Sequence, residues 1–439
     1  MLAEEKMSRA PSRTSTASTP QKHDRRNLVR ALGLGLITGA ADDDPSAIGT
    51  YASAGAAFGP AFLWTAPVTL PMMFSVVYLS SKLGQVTGKG LFDVIRDRFP
   101  RWLLDVTLIG VLIGNTIEAG AGIAGMAAAF GLLIPVRPSI IVVGVSVSLL
   151  TLQFWGSYTL IRNVFRWLAL ALLAYVGAAL LARPDWRAVV AGTFVPHVQL
   201  SEPFVSLLVA VIGTTLSAYL YTWQSNQEVE EEIAKGRRRL ADRVGATEEE
   251  LTETRRDVLV GMVFSNLVMY FIILSTGATL FAAGQHEIST AAQAAEALRP
   301  LAGRAASILF AAGIIGVGCL SVPIMTTGAA YDLCQVLGWK HGLHARPKDA
   351  KAFYAAIAAF TLIAMGLNFI GINPMRGLVL AGIVQGFSTP PLMLLIMLLT
   401  SSRAVMGDRV NSPGLAVLGW VTTAAVFAAT IGLILTWIL

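Results

Sequence analysis

Three consecutive carboxylates, Asp42, Asp43 and Asp44, precede a proline in the middle of an otherwise apolar stretch. Pro45 has no backbone N–H and disfavours helical angles at Asp44, so a helix that crosses this point is interrupted and its carbonyl groups are freed. Free carbonyls beside carboxylates are suitable ligands for a cation. Because neighbouring residues of a helix point about 100° apart, it stays open whether Asp42 and Asp43 share the site with Asp44.

A second group of candidate ligands lies in a later apolar stretch, where small and hydroxyl residues follow one another over positions 212–219. If the fold has an internal repeat, as many secondary transporters do, we expect this run to unwind. The hydroxyls of Thr214, Thr215 and Ser217, with the carbonyls around them, would then face Asp44 across a cavity. Alternatively, the small residues only allow two helices to pack closely.

The composition places these residues in a membrane protein. The chain has 439 residues, of which 54% are hydrophobic and only 14% are charged, and its mean hydropathy is +0.63. Such a chain is too apolar for an ordinary soluble protein. Its net charge of +6 comes from basic residues in short segments between apolar stretches, so the expected partner is a lipid bilayer and not a nucleic acid.

Apolar stretches of about the length needed to cross a bilayer recur along the chain and predict about eleven helices in an all-α, multi-pass protein. Their expected bounds are 28–54, 60–82, 102–134, 139–157, 160–182, 204–228, 257–283, 301–335, 352–371, 374–400 and 413–438. Residues 1–26 are polar and are expected to form a disordered tail. Basic residues concentrate in alternate loops, which predicts a cytoplasmic N-terminus and an outside C-terminus, most simply in the plasma (inner) membrane.

The connection 229–256 alternates acidic and basic residues and is expected on the cytoplasmic side. It is either a regulatory or partner site or a solvated connector, and its composition favours the connector. Glu248 to Glu250 follow Thr247 and predict a helix start there.

Several polar residues lie inside other apolar stretches. Glu118 is expected either to carry protons or to bond neighbouring helices. Asn266, Asn368 and Gln385 are expected to join helices through hydrogen bonds, and Asp332 is expected near the membrane surface.

Three segments resemble the Nramp (natural resistance-associated macrophage protein) family of divalent metal transporters: Asp44 to Ala47, Lys82 to Lys89, and Leu399 to Gly407. The resemblance implies a LeuT-like inverted repeat of five plus five helices and metal uptake, commonly with protons. The first repeat would span 27–203, the second 204–400, and residues 401–439 would form an eleventh helix.

The sequence departs from the family pattern at the first break, where Ser46 and Ala47 replace Gly-Asn, so the position of Ala47 offers no side-chain ligand. At the second break, Ser217, Ala218 and Tyr219 replace Met-Pro-His. The soft thioether that favours transition metals is therefore missing from this position.

The residues that the resemblance links to protons are also altered. Glu118 matches a family acid on the proton path, but Asn115 stands where an aspartate is expected three residues earlier. Tyr219 replaces the histidine associated with proton movement. Gly382 occupies a place where the tenth helix often supplies a glutamine.

Together these residues predict a secondary transporter of a hard divalent cation, with Mg²⁺ first and Mn²⁺ second, and with weak or absent proton coupling. Asp44 would be the main ligand, and the chain would resemble the magnesium-carrying, Nramp-related branch. No cofactor is expected beyond the transported ion, and the oligomeric state is open. The alternatives are a LeuT-like carrier of an organic solute and a non-transporting sensor. An enzyme is not expected, since an intramembrane aspartyl protease needs a second aspartate in a Gly-x-Gly-Asp setting.

Overall fold

The structure is a computed structural model that describes residues 34–155 and 170–438. The predicted tail 1–26 and much of the predicted fifth span lie outside the described residues. Every regular element among the described residues is helical. The α-helices, in chain order, are α1 Leu34–Asp42, α2 Pro45–Phe58, α3 Thr65–Thr87, α4 Leu91–Arg98, α5 Arg101–Gly131, α6 Pro138–Trp155, α7 Ala174–Leu181, α8 Trp186–Phe194, α9 Glu202–Thr215, α10 Ala218–Ala234, α11 Leu240–Arg243, α12 Glu248–Thr276, α13 Ala291–Glu296, α14 Arg299–Ala302, α15 Ala306–Leu337, α16 Lys351–Leu367, α17 Pro374–Thr400, α18 Arg403–Met406 and α19 Pro413–Ile438.

Two of the expected spans are broken helices. The first is divided between α1 and α2, where Asp44 is extended (φ −64°, ψ 173°) before Pro45. The second is divided between α9 and α10, where Leu216 and Ser217 leave helical geometry. The proline accounts for the first break, and the second falls within the run of hydroxyl residues.

Long apolar helices surround these breaks. Among the described residues, six helical segments are long and apolar enough to cross a membrane, and a seventh is added if the pair α2 and α3, bent by 114°, counts as one span. The predicted eleven spans are not all single long helices, because broken helices divide some of them and α6 and α16 are shorter.

The connection 229–256 is also partly helical, since α10 continues to Ala234 and α12 begins at Glu248.

The packing places both breaks inside the bundle. Helix α1 packs on α12, α9 packs on α17, and α2 lies against α12 and α17, while α5 contacts both α15 and α17. Two glycine contacts bring backbones close: a Cβ on Gly39 would lie 2.1 Å from the Gly261 carbonyl oxygen, and one on Gly213 would lie 2.1 Å from the Gly382 carbonyl oxygen. The small residues of α9 therefore also serve close packing, as the alternative interpretation expected.

Candidate cation site

Asp44 is held at the start of α2 by its own side chain. Its Oδ1 accepts a hydrogen bond of 2.7 Å from the backbone N–H of Ala47, so it caps a helix that Pro45 begins. This arrangement is favourable because a carboxylate at a helix N-terminus satisfies an unpaired donor and faces the positive end of the helix dipole. Ala47 contributes only this backbone group. The cap fixes the carboxylate in the gap between α1 and α2.

The other two acids of the cluster face α12. The Ser265 hydroxyl lies 2.5 Å from Asp42 Oδ2 and 3.3 Å from Asp43 Oδ1. Both side chains are fully buried, and their remaining oxygens have no hydrogen-bond partner among the described residues. Asp42 and Asp43 therefore contact a different helix from the one that approaches Asp44.

At each of the two breaks, a tyrosine hydroxyl donates a hydrogen bond to a backbone carbonyl group. Tyr219 donates a hydrogen bond of 2.8 Å to the Ala41 carbonyl and lies 3.5 Å from Asp44 Oδ2. Tyr221 donates a hydrogen bond of 2.5 Å to the Leu216 carbonyl, which Thr389 also contacts at 3.1 Å. Unwound backbone inside a bundle needs such partners, because an unpaired buried carbonyl costs free energy.

Glu118 on α5 connects both breaks. Its Oε1 accepts hydrogen bonds of 3.1 Å from Ser46 on α2 and from Ser217 at the second break. Its Oε2 accepts one of 2.6 Å from the amide of Gln385 on α17. Ser46 also shares a hydrogen bond of 3.2 Å with the Thr214 hydroxyl. Four helical segments thus meet at one buried carboxyl group.

Asp44 and Glu118 form an acidic pair. The two carboxyl groups are close enough to interact, and the side chain of Ser46 contacts both. Both side chains are almost completely buried. The ion pairs found among the described residues all lie elsewhere. Two buried acids without a basic partner need protons or a cation, because an isolated buried charge is very costly.

The groups that could hold a cation are all oxygens. Carboxylates of Asp44 and Glu118 and hydroxyls of Ser46, Thr214 and Ser217 belong to this one network, whereas Gln385 turns its amide nitrogen towards Glu118. Within residues 34–155 and 170–438, no group of three or more His, Cys, Asp and Glu side chains is arranged to hold a metal ion. A bound cation would therefore take neutral oxygens and water besides the two acids.

The structure brings some predicted site residues together and separates others. Asp44, Thr214, Ser217 and Glu118 belong to the network, and Tyr219 borders it. Thr215 points away from it, because its hydroxyl lies 2.8 Å from that of Tyr51 and 3.9 Å from the sulfur of Met269.

Two polar residues differ from the sequence-based interpretation, and a third confirms it. Gln385 joins helices as expected, because its amide N–H donates to Glu118 and Asn115 and its Oε1 accepts from the Ala218 N–H at 3.4 Å. Ser46 was not named as a site residue, although its hydroxyl contacts Glu118. For Gln385 and Ser46, the signal available in the sequence was a polar residue in an apolar stretch, at about the same expected depth in the membrane as the acidic residues. Asp332, expected near the surface, is fully buried.

Comparisons with known proteins identify the fold and the family. The sequence model described as natural resistance-associated macrophage protein-like (Nramp) matches residues 35–436. The divalent metal cation transporter MntH of Deinococcus radiodurans is 28% identical over 409 residues, which cover 92% of this chain and 89% of that protein. MntH of Bacillus subtilis is 26% identical over 424 residues, which cover 93% and 92%.

Solved structures agree on the fold. A variant of the Eremococcus coleocola manganese transporter, 18% identical, gives a TM-score of 0.74 over 96% of this chain and 89% of that chain. MhsT in complex with L-phenylalanine, 13% identical, gives 0.56 over 96% and 99%. Two broken helices around a buried, oxygen-lined centre define a membrane protein of the LeuT-like fold. Within that class, the chain belongs to the Nramp family, as the sequence resemblance predicted.

Proposed function

We propose that this chain carries a divalent metal cation across a membrane, with Mg²⁺ preferred and Mn²⁺ as a second substrate. The observation that carries the proposal is the buried pair Asp44 and Glu118, joined through Ser46 and without a basic partner in the part of the chain that the structure describes. A divalent cation neutralises two carboxylates at once. The names of the MntH relatives support transport of divalent metals.

The preference for a hard ion follows from the donor atoms. Carboxylate and hydroxyl oxygens suit Mg²⁺, which keeps several waters and needs few direct protein ligands. Ser217 places a hydroxyl, and not a thioether, beside Glu118, so the site offers a transition metal no soft ligand at this position. The close contacts between α2, α5 and the second break also favour an ion over an organic solute.

Weak or absent proton coupling is part of the proposal. Tyr219 stands where the family resemblance places a histidine, and its hydroxyl is engaged with the Ala41 carbonyl. A phenol ordinarily titrates near pH 10, far above the range in which a histidine exchanges protons. Asn115, which accepts from Gln385 at 3.2 Å, cannot carry a proton either.

We further propose a multi-pass arrangement in the plasma membrane, with inverted repeats at 27–203 and 204–400, a cytoplasmic N-terminus and an outside C-terminus. One cavity at one end of the bundle is lined by basic residues that the sequence assigns to cytoplasmic loops, namely Lys89, Arg238, Arg243 and Lys340. We call this end of the bundle the basic end. This grouping supports the orientation.

Flux into proteoliposomes tests the function. Mg²⁺ and Mn²⁺ entry is followed with an enclosed fluorescent indicator for each ion, and empty vesicles serve as the background. The expected result is saturable entry of both ions, with the higher kcat/KM for Mg²⁺. A higher kcat/KM for Mn²⁺ would contradict the hard-ion preference, and entry no faster than in empty vesicles would contradict transport itself.

A further inference from the structure

A buried carboxylate lies between the central network and the basic end, where the proposed site does not use it. Asp332 on α15 is fully buried, and neither of its oxygens has a hydrogen-bond partner among the described residues. The side chain of Thr222 on α10 is close enough to interact with it. A buried acid with a structural role normally has its oxygens satisfied, so this one needs another explanation.

The cavity at the basic end reaches the same pair of helices. It has a volume of about 1310 Å³, and its walls include Asn226 on α10 with Tyr331 and Gln335 on α15. Gln335 donates a hydrogen bond of 2.6 Å to Asn226. Asn226 is one helical turn beyond Thr222, and Gln335 is one turn beyond Asp332. Asp332 and Thr222 are therefore one turn deeper than a pair that lines the cavity.

The central site lies one turn deeper again. Thr222 donates to the carbonyl of Tyr219 at 3.3 Å, and Tyr219 contacts Asp44. The path from Tyr219 to Asn226 along α10 covers seven residues, or about 10 Å at 1.5 Å per residue. The helices are in contact at this turn, since a Cβ at Gly328 would lie 3.6 Å from the Thr222 hydroxyl, an ordinary contact distance. Polar groups thus occur at each turn from the central acids to the cavity.

We propose that Asp332 and Thr222 form a second, transient site for the transported divalent cation on its path between the central site and the basic end. The inference rests on the proposed function. An ion that leaves Asp44 and Glu118 must cross a low-dielectric region, where a carboxylate lowers the barrier by direct attraction. The missing partner of Asp332 is then the passing ion. Thr222 adds a neutral oxygen, and Asn226 and Gln335 lead to the cavity.

The test compares Asp332→Asn with a matched control in proteoliposomes, with Mn²⁺ as the traced ion. Asn keeps the shape of the side chain and removes only its charge. Glu231→Gln removes a carboxylate from the cavity wall, where Glu231 is exposed and paired with Lys235. Asp332→Asn is expected to lower the Mn²⁺ flux by about tenfold, because the barrier of the path loses a charge, whereas Glu231→Gln changes it less than twofold.

Mn²⁺ binding to the detergent-solubilised protein separates the path from the central site. Asp332→Asn is expected to leave the Kd of the central site within twofold. Flux at the wild-type level in Asp332→Asn would overturn the inference, because it would show that the acid is a permanently protonated spectator that Asn replaces. If wild-type protein carries no Mn²⁺, the proposed function fails instead.

Thiol accessibility gives a readout that does not depend on flux. Cys319 and Cys334 are the two native cysteines, and both are free. In a Cys319→Ala, Cys334→Ala background, the thiol introduced by Thr222→Cys, which keeps Asp332, is expected to react with a water-soluble methanethiosulfonate cation, and saturating Mn²⁺ slows the reaction. Val336→Cys, at a buried position of α15, serves as the control and is expected to show no slowing by Mn²⁺. An unreactive thiol at position 222, or one that Mn²⁺ does not protect, contradicts a place on the path.

Discussion

The charge of Asp44 can be removed without removing the helix cap that it forms, which allows a strict test of the site. In Asp44→Asn the side-chain oxygen can still accept from the Ala47 N–H, as the 2.7 Å bond does now, and Asn caps helices about as well as Asp. In Asp44→Ala both the charge and the cap are lost. Both variants therefore lose the charge, and only Asp44→Ala also loses the helix cap.

The expected loss of cation affinity is large. Two unit charges 4 Å apart attract by about 4 kcal/mol at an effective dielectric constant of 20, and a divalent ion doubles this attraction. Even the smaller value corresponds to a Kd for Mg²⁺ or Mn²⁺ that rises roughly a thousandfold. The loss of the cap alone costs about 1 kcal/mol of stability, so Asp44→Ala should also unfold at a lower temperature.

Isothermal titration and thermal unfolding in detergent measure both effects. Asp105→Asn is the control, because Asp105 is a half-exposed partner of Arg101 that lies outside the network. We expect both Asp44 variants to lose binding and only Asp44→Ala to lose thermal stability. A Kd for Asp44→Asn within tenfold of the wild-type value would refute the assignment of Asp44 as the main ligand.

Three further outcomes are expected. Ser217→Met should raise the flux of Cd²⁺ and Mn²⁺ relative to Mg²⁺, because it places a thioether beside Glu118; unchanged selectivity in liposomes would count against a cation at the second break. Metal entry should produce little acidification of the vesicle lumen, and a clear metal-driven pH change would contradict weak proton coupling. The hydrogen bond with Glu230 raises the pKa of His344 above its ordinary value. This contact therefore contributes stability that is fully present below about pH 6.5, and the contribution is lost as pH rises through the raised pKa. Unfolding temperatures of wild type and His344→Gln across pH 5.5–8.5 should converge towards the alkaline end, and a constant difference would disprove the role of this histidine.

The first helix break could be predicted from local chemistry, whereas the second was expected only because transporters with an internal repeat pair two broken helices. Pro45 disfavours helical angles at Asp44, and three acids in an apolar stretch predict an interior ion site. The helix start at Thr247 was predicted on the same local grounds, and the structure confirms it and adds a capping box in which Glu250 bonds back to Thr247.

The direction of each side chain could not be predicted, because it depends on how the helices are rotated against one another. Thr214 and Thr215 are neighbours, yet one meets Ser46 and the other meets Tyr51. Asp42 and Asp43 turn towards α12 for the same reason. The position of Gln385 opposite Glu118 also depends on the packing of α17 on α5, which no local pattern in the sequence encodes.

Gly382 restricts how this protein can be redesigned. A Cβ there would lie 2.8 Å from the carbonyl oxygen of Ala210, so any side chain at this position would force α17 away from α9. Introducing the glutamine that the family pattern has at this position would therefore disrupt the bundle and would not restore a ligand. The same chemical group already reaches Glu118 from Gln385, one turn further along α17. Metal selectivity is thus more accessible to engineering at the second break than on this helix, where the backbone contact leaves no volume for a new side chain.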